Sequence, residues 1–438
     1  MAKQPGRPRG AAQLGARQLA LTALERVLHG AYLAPTLSSL LDAAELEGPE
    51  RALATDLAYG VVRRLPQLDA ALAPLLTAPR KLPPRVLGAL RLGAFELNHR
   101  GTPAYAAVSA WVGLVKREAP KLAGLVNAVL RRVRPLPDDA PRAVRAALPA
   151  WLLGAFDRAL GEERAFEAAL GMLEPEPLWL TALSEAAVEA LTADGAEVAP
   201  LFPDQPARLA SLRVRAGAPL DSLAAYRRGL VQPQNPSSLE AARLLGAGPD
   251  DTVYDLASGR GVKSAVLAAS GAEVTAFELD ARRSQAAAQN LRRLGLEVEH
   301  RQADLRALPE APPVSHVILD APCSGTGTLR GHPEIKLRVT QAQVDELAAL
   351  QRVMLRNAAR LVAPGGVLVY AVCSLTREEG AEVVADLLEE RPDFRPEPVD
   401  TRLPSVPPAN GGVGRYLLPL GGLDGFYLAR LRRRPLPE

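Results

Sequence analysis

The sequence predicts a multidomain protein: an all-α N-terminal domain, a small α+β module and a C-terminal α/β domain built on a mainly parallel, doubly wound sheet. Three observations carry that reading. At 438 residues the chain is too long for one core. Its first 135 residues read as helices throughout. From Thr252 onward, short apolar runs alternate with helical sequence, and such alternation demands parallel strands joined by crossovers. The expected boundaries are 1–140 for the helical domain, 150–235 for the small module and 236–438 for the α/β domain.

The elements follow in order. One N-terminal helix carries Leu21, Leu24 and Leu28. Another runs from Pro84 through Phe95, its prolines placed to start it. The clearest sets Leu122, Leu125, Val126, Val129, Leu130 and Val133 on one stripe, with Arg131, Arg132 and Arg134 flanking its C-terminal end. Arg134–Arg142 (RPLPDDAPR) is a linker by composition. In the small module, Leu178–Leu183 and Arg208–Val214 read as strands, Ser184–Leu191 as a helix, and the Pro-rich Pro200–Arg208 as a loop. The last domain runs strand TVYDLA, a glycine-containing turn and a helix, then strand EVTAFELD and helix ARRSQAAAQNLRRLG. HVILDAP, GVLVYAV and a closing FYLARLRR supply further strands.

Composition narrows the partners. The N-terminus, MAKQPGRPRG, is basic but has no apolar core of a signal peptide, and no unbroken apolar run is long enough to span a bilayer. A cytoplasmic, membrane-free protein is expected, acting as a monomer. The net charge of +3 hides an asymmetry: residues 1–150 carry 21 Lys and Arg against 11 Asp and Glu, and the remainder 31 against 38. A basic N-terminal part points to a polyanion such as nucleic acid, although a solvated basic face gives the same counts.

The two cysteines, Cys323 and Cys373, each follow an apolar run read as a buried strand. Both strands are expected to end at one edge of a parallel sheet, where open α/β folds bind ligands. On count alone, inert buried thiols are the simpler account. A disulfide has no support in a chain without secretory signals, and the five scattered histidines offer no metal-ligand spacing.

The surrounding residues change the balance. In the turn Asp255–Ser264 (DLASGRGVKS), Gly259 and Gly261 admit close backbone approach, and the following helix N-terminus favours an anionic group. The run is not a full G-x-G-x-x-G, and a plain tight turn would look the same. Glu278 ends the next strand, where an acid typically holds the ribose hydroxyls of an adenosine-bearing cofactor. Asp304, after the third strand, is placed to meet an adenine amine. One acid at a strand end is often only a cap, but Asp255, Glu278 and Asp304 at successive ends favour a nucleoside site. Asp320-Ala-Pro-Cys323 then sets a carboxylate beside a thiol, which points to pyrimidine chemistry. A thiolate added at carbon-6 makes carbon-5 able to attack a methyl donor, and a carboxylic acid at ring N3 supports the adduct.

Asp320–Lys336 (DAPCSGTGTLRGHPEIK) and Tyr370–Ser374 (YAVCS) closely resemble the two cysteine motifs of RNA cytosine-5 methyltransferases. His99–Val133 resembles the NusB-like helical domain of one branch, the RsmB type, also called Fmu or Sun. Gly229–Leu245 (GLVQPQNPSSLEAARLL) resembles that branch's lead-in to the catalytic domain, so the likeness covers nearly the whole chain. It implies a Rossmann-like class I methyltransferase domain, S-adenosyl-L-methionine as cofactor, and 16S ribosomal RNA or a partly assembled small subunit as partner. It implies Cys373 as nucleophile, Cys323 as the thiol that assists product release, and Asp320 as a contact to the cytosine ring and the cofactor. Glu278 and Asp304 become ribose and adenine contacts. Lys263 and the Asp255 turn, with Gly259 and Gly261, fall near the methionine part, and Arg283 is a further cofactor-site candidate. No metal is expected.

Three departures stand out. The family's glycine loop reads near DLCAAPGGKT, against DLASGRGVKS here, with Arg260 and Val262 as the changed residues. Its T-C-S is Val372-Cys373-Ser374, and its lead-in QD is Gln234-Asn235. The same chemistry on transfer RNA, or a non-catalytic RNA-binding protein with a decayed domain, remain alternatives. Retention of Asp320, Cys323 and Cys373 weighs against the second.

Overall fold

The computed structural model describes residues 15–46, 48–307 and 309–435, so the basic segment 1–14 lies outside the described residues. The chain forms two compact units: residues up to Leu148 together with His332–Arg338, and Pro149–Gly331 together with Val339 onward.

The first unit is helical, with α1 (Ala16–Leu28), α2 (Leu33–Ala43), α3 (Gly48–Leu72), α4 (Pro84–Asn98), α5 (Ala104–Glu118), α6 (Ala123–Arg132) and a single turn, α7 (Arg142–Arg145). The apolar stripes are what bury it: Leu19 and Leu24 of α1, Val61 of α3, Leu90 of α4, Trp111 of α5 and Val126 of α6 are all fully enclosed. Leu122 and Val133 flank α6 rather than lie inside it. Charge is buried here as well. Glu96 of α4 is fully buried, and its carboxylate accepts hydrogen bonds from the Trp111 indole at 2.8 Å and from Arg17 Nε at 3.0 Å.

His332–Arg338 packs within this unit. The buried Glu334 accepts a hydrogen bond from the Leu33 N–H at 3.1 Å, placing a carboxylate at the start of α2, where the helix dipole favours it. Lys336 donates to the Arg63 carbonyl, and Arg338 donates to the Ala31 carbonyl while its guanidinium lies 4.4 Å over the Tyr32 ring. Burial, with Arg63 and Arg64 nearby, brings the Lys336 ammonium down to about 7.

The second unit opens with α8 (Ala150–Leu160) and α9 (Glu162–Gly171). A four-stranded antiparallel sheet follows in the order β2-β3-β1-β4, from β1 (Leu178–Ala182), β2 (Glu197–Pro200), β3 (Ser211–Arg215) and β4 (Val231–Pro233). Its helices are α10 (Ala187–Ala193) and α11 (Ala224–Arg227). The strand expected from Arg208 begins only at Ser211, because Leu209 takes a left-handed φ of 61° and turns the chain.

The remaining residues build the large sheet. Its strands are β5 (Thr252–Leu256), β6 (Glu273–Glu278), β7 (Glu299–Gln302), β8 (Val314–Asp320), β9 (Val362–Val372), β10 (Phe394–Glu397), β11 (Ser405–Val406), β12 (Arg415–Leu417) and β13 (Phe426–Arg433). The order is β11-β12-β13-β9-β8-β5-β6-β7, with β10 also on β13. The five strands β5–β9 pair in parallel, as their helical crossovers require: α13 (Val262–Ala269), α14 (Ala281–Leu294) and α15 (Gln341–Arg360). After α16 (Ala381–Glu390) the pairings turn antiparallel, so a parallel half carries an antiparallel extension. The lead-in helix α12 (Pro236–Leu245) starts on an Asn235 cap and a proline at its first position. β5 is flanked by β6 on one side and β8 on the other, so the direction of winding reverses there, which opens a crevice beyond the strand ends.

The buried Glu96 gives a stability prediction. Glu96→Ala leaves the Trp111 indole and part of Arg17 unpaired, and should destabilise the first unit by about 3 kcal/mol. Urea denaturation followed by tryptophan fluorescence measures it.

Candidate active site

The parallel pairing of β8 with β9 sets Asp320 opposite Ala371. The two loops beyond therefore start level, and Cys323 Sγ lies 3.3 Å from Cys373 Sγ. Both thiols are free. The loops are held by backbone: the Gly327 N–H donates to the Cys373 carbonyl at 2.9 Å, and the Gly425 N–H donates to the Gly327 carbonyl at 2.8 Å. A Cβ on Gly327 would fall 2.0 Å from the Gly425 oxygen, so only glycine permits this approach. The Cys323 thiol is pushed well above the usual thiol range, by its hydrogen bond with Cys373 first, then by burial and the nearby Cys373 and Glu379 charges.

Asp320 ends β8 and accepts a hydrogen bond from Lys263 Nζ at 2.5 Å. Burial alone would depress the Lys263 ammonium. The carboxylates of Asp320 and Asp255, together with Cys373, outweigh that and hold it above the ordinary lysine value. Asp255 at the end of β5 is fully buried. One oxygen accepts from the Ser264 hydroxyl at 2.5 Å and the other has no protein partner. Burial raises its carboxyl to about 6, against the lowering effect of Ser264 and Lys263.

The glycine turn stands at the end of β5. Gly259 and Gly261 both take left-handed φ, 59° and 72°. At Gly261 the close approach is to α14 rather than to a ligand, since a Cβ would meet Ala287 Cβ at 3.0 Å. Glu278, buried at the end of β6, receives the Gly259 N–H at 2.8 Å and the Asp280 N–H at 2.9 Å. It thereby ties the turn to the neighbouring strand. Asp304 lines the same crevice, but its carboxylate is clamped by the Arg306 side chain at 2.6 to 3.0 Å and lowered by it. Arg283 also lines the crevice and is exposed, 3.9 Å from Asp280.

Two cavities meet at Asp320. One, of about 530 Å³, is lined by Glu278, Asp304, Ala303, Leu305 and Met354 and reaches both thiols. Apolar walls with a buried carboxylate at one end suit an adenosine-bearing group. The other, of about 680 Å³, is lined by Trp179, Asn235, Gly259, Lys263, Glu176 and Asp424. The sequence-read residues thus gather at one edge, with Asp320 at the junction of the two spaces and both thiols on the first of them.

The sequence reading missed several residues here. Asn235 is more than a departure from the expected pair of letters: its side chain caps α12 and also receives the Asp424 N–H at 3.1 Å. Asp424, in GGLDGF, looks like a turn residue, yet one of its oxygens is buried without a protein partner. Glu379, in TREEG, looks like a surface acid but is fully buried beneath the two cysteine loops. No sequence signal separates either from a solvated carboxylate. Among the described residues, no cluster of His, Cys, Asp and Glu could hold a metal ion, and no helix is long and apolar enough to cross a membrane.

Comparison with known proteins gives two family matches: 16S rRNA methyltransferase RsmB/F over residues 242–432 and the NusB family over residues 14–135. The chain is 45% identical over 418 residues to a ribosomal RNA small subunit methyltransferase B of Thermus thermophilus, covering 95% of this chain and 97% of that one. Among solved structures it is similar to PH0851, with a TM-score of 0.76 at 22% identity, over 97% of this chain and 99% of the other. It is also similar to NSun6 from Pyrococcus horikoshii with SFG, with a TM-score of 0.58 at 20% identity, over 66% of this chain and 99% of that one. At those identities the two structures share the fold.

The second cavity generates a pH prediction. Burial first, then Glu176, pushes the Asp424 carboxyl up to about 7, with Arg330 opposing. A folded-state value above the unfolded one means that the stabilising contribution is complete below about pH 4 and is lost as the pH rises toward 7. Asp424→Asn should therefore raise the unfolding free energy at pH 8 by about 2 kcal/mol and flatten its slope between pH 5 and 7. Urea titrations across that range measure both.

Proposed function

The chain belongs to the RsmB/F family of 16S ribosomal RNA methyltransferases, and from that premise we propose that it methylates carbon-5 of a cytosine in 16S ribosomal RNA through a covalent cysteine–cytosine adduct. The observation that carries this reading is the pair of thiols 3.3 Å apart beside a carboxylate that is itself held by a lysine. Inert core cysteines need neither the carboxylate nor a cavity reaching them.

S-adenosyl-L-methionine, when bound, supplies an electrophilic methyl group. Glu278 would hold its ribose, Asp304 and the walls formed by Ala303, Leu305 and Met354 its adenine, and the turn from Asp255 through Gly259 and Gly261 to Lys263 its methionine part. Arg283 borders the same space. The apolar walls and the unpartnered Asp255 oxygen fit that group.

Cys373 is the nucleophile: its sulfur bonds carbon-6 of a cytosine turned out of any stack. Asp320 orients the ring, and the Lys263 ammonium offers a cation where negative charge grows as the thiolate adds. Carbon-5, now enamine-like, takes the methyl group. The carbon-5 proton then passes to solvent water acting as base, the pair from that C–H bond re-forms the carbon-5–carbon-6 double bond, and the carbon–sulfur pair leaves on Cys373. Cys323, held as a neutral thiol beside Cys373, hydrogen-bonds the departing sulfur and so assists release.

RNA capture falls to the basic first unit. A groove of about 1010 Å³ there is lined by Tyr105, Asn98, Asn127, Arg131 and Arg134, and the Tyr105 ring is 81% exposed. An open aromatic beside guanidinium groups suits stacked bases and phosphates. The 16S RNA, free or in a partly assembled small subunit, is the proposed partner, and the reaction is placed in the cytoplasm.

Two predictions follow from this reading. RNA affinity should fall steeply with salt, and reversing Arg131 and Arg134 to Glu should weaken binding while reducing the slope of log affinity against log salt by about 1 per lost phosphate contact. Filter binding across a salt series reads this; unchanged affinity and slope would make the groove a mere solvated face. The second separates the thiols. Cys373→Ala should abolish methylation and trap nothing, whereas Cys323→Ala should accumulate a protein–RNA adduct stable to denaturing electrophoresis. Bisulfite sequencing of 16S RNA from a deletion strain identifies the cytosine. Methylation by Cys373→Ala, or an adduct in that variant instead, would overturn the assignment.

A further inference from the structure

Glu379 lies between β9 and α16 and is fully buried. Its carboxylate is surrounded by five neutral donors. One oxygen accepts from the Ser324 N–H at 2.8 Å and from Gln351 Nε2 at 3.1 Å. The other accepts from the hydroxyls of Ser324 at 2.5 Å, Ser374 at 2.6 Å and Thr376 at 3.1 Å. Ser324 follows Cys323 and Ser374 follows Cys373. Gln351 also donates to the Pro322 carbonyl at 2.9 Å, just before Cys323. The Tyr370 hydroxyl anchors the clamp itself by donating to the Glu379 carbonyl at 2.7 Å. One carboxylate thus grips the residue after each cysteine.

We propose that Glu379 is the positioning residue that sets the spacing and order of the two reactive thiols, a role that rests on the reading of Cys323 and Cys373 given above. Glu379 does not line either cavity at Asp320, so it acts through the loops and not on a bound group. Adduct formation at Cys373 and release assisted by Cys323 both need sulfur atoms placed against one base, and a misplacement near 1 Å costs on the order of 100-fold in rate. Burying an unpaired carboxylate is costly unless its hydrogen bonds are satisfied, which is why the clamp consists of donors alone. The same charge contributes to keeping Cys323 protonated, after its hydrogen bond with Cys373 and burial.

Two readouts test this in the full chain. The first needs no methylation. Diamide oxidises two adjacent thiols to a disulfide, taking up two electrons and two protons as it becomes the hydrazine. Glu379→Gln should slow closure of the Cys323–Cys373 bond at least tenfold, read as loss of free thiol over time. The second is steady-state methylation, where kcat should fall at least tenfold with little change in KM for RNA or in S-adenosyl-L-methionine affinity. Ser324→Ala with Ser374→Ala, which leaves Glu379 in place but removes two of its grips, should move both readouts the same way. It serves also if Glu379→Gln folds poorly. Disulfide closure and kcat at wild-type values in the folded variants would overturn the clamp. Slowed closure in a protein whose wild type methylates no ribosomal RNA would leave the clamp standing and remove the proposed reaction instead.

Discussion

The register between β8 and β9 is the constraint on which the site depends. Because the two strands run parallel with Asp320 opposite Ala371, everything beyond their ends is aligned before any side chain interacts. Val367 through Val372 are all buried, so both faces of β9 are packed and the pair is held from either side of the sheet. Cys323 and Cys373, 50 residues apart, are brought to 3.3 Å as a consequence. The glycine contact between Gly327 and Gly425 and the clamp at Glu379 refine a juxtaposition that backbone pairing has already made.

Around that frame the molecule buries charge repeatedly, and with different partners. In the helical unit, Glu96 is answered by Trp111 and Arg17, and Glu334 by the first N–H of α2. At the sheet edge, Lys263 faces Asp320, while Glu379 has only neutral donors. Asp255 and Asp424 each keep an oxygen without a protein partner. The Asp255 and Asp424 oxygens both border the cavity at Asp320. At that position an unpaired buried oxygen can be answered by a ligand or by solvent.

The antiparallel extension of the sheet has a part in the site as well. Its last strand begins at Phe426, whose ring lies 5.7 Å from the Lys263 ammonium, and the segment before it supplies Asp424 and Gly425. The lead-in to α12 meets the same segment through Asn235 and Ser237. The cavity at Asp320 is thus closed by pieces of chain far apart in sequence, all within the second unit.

The sequence by itself determined the helical first part, the parallel alternation of the last and the residues most exposed to chemical reading: two cysteines after apolar strands and acids at strand ends. Those features are local, written as periodicity or as a residue type fixed to a strand terminus, so they survive without coordinates. Short polar strands such as β2 and β7 carry little periodicity, and the antiparallel extension depends on pairing choices that no local pattern encodes. Tertiary structure alone decided which acids are buried. Glu379 and Asp304 look alike in sequence, yet one is fully enclosed beneath the cysteine loops and the other turns its carboxylate to Arg306 at the surface. Burial of a carboxylate is set by what packs over it from elsewhere in the chain, and that is a property of the fold rather than of the neighbouring residues.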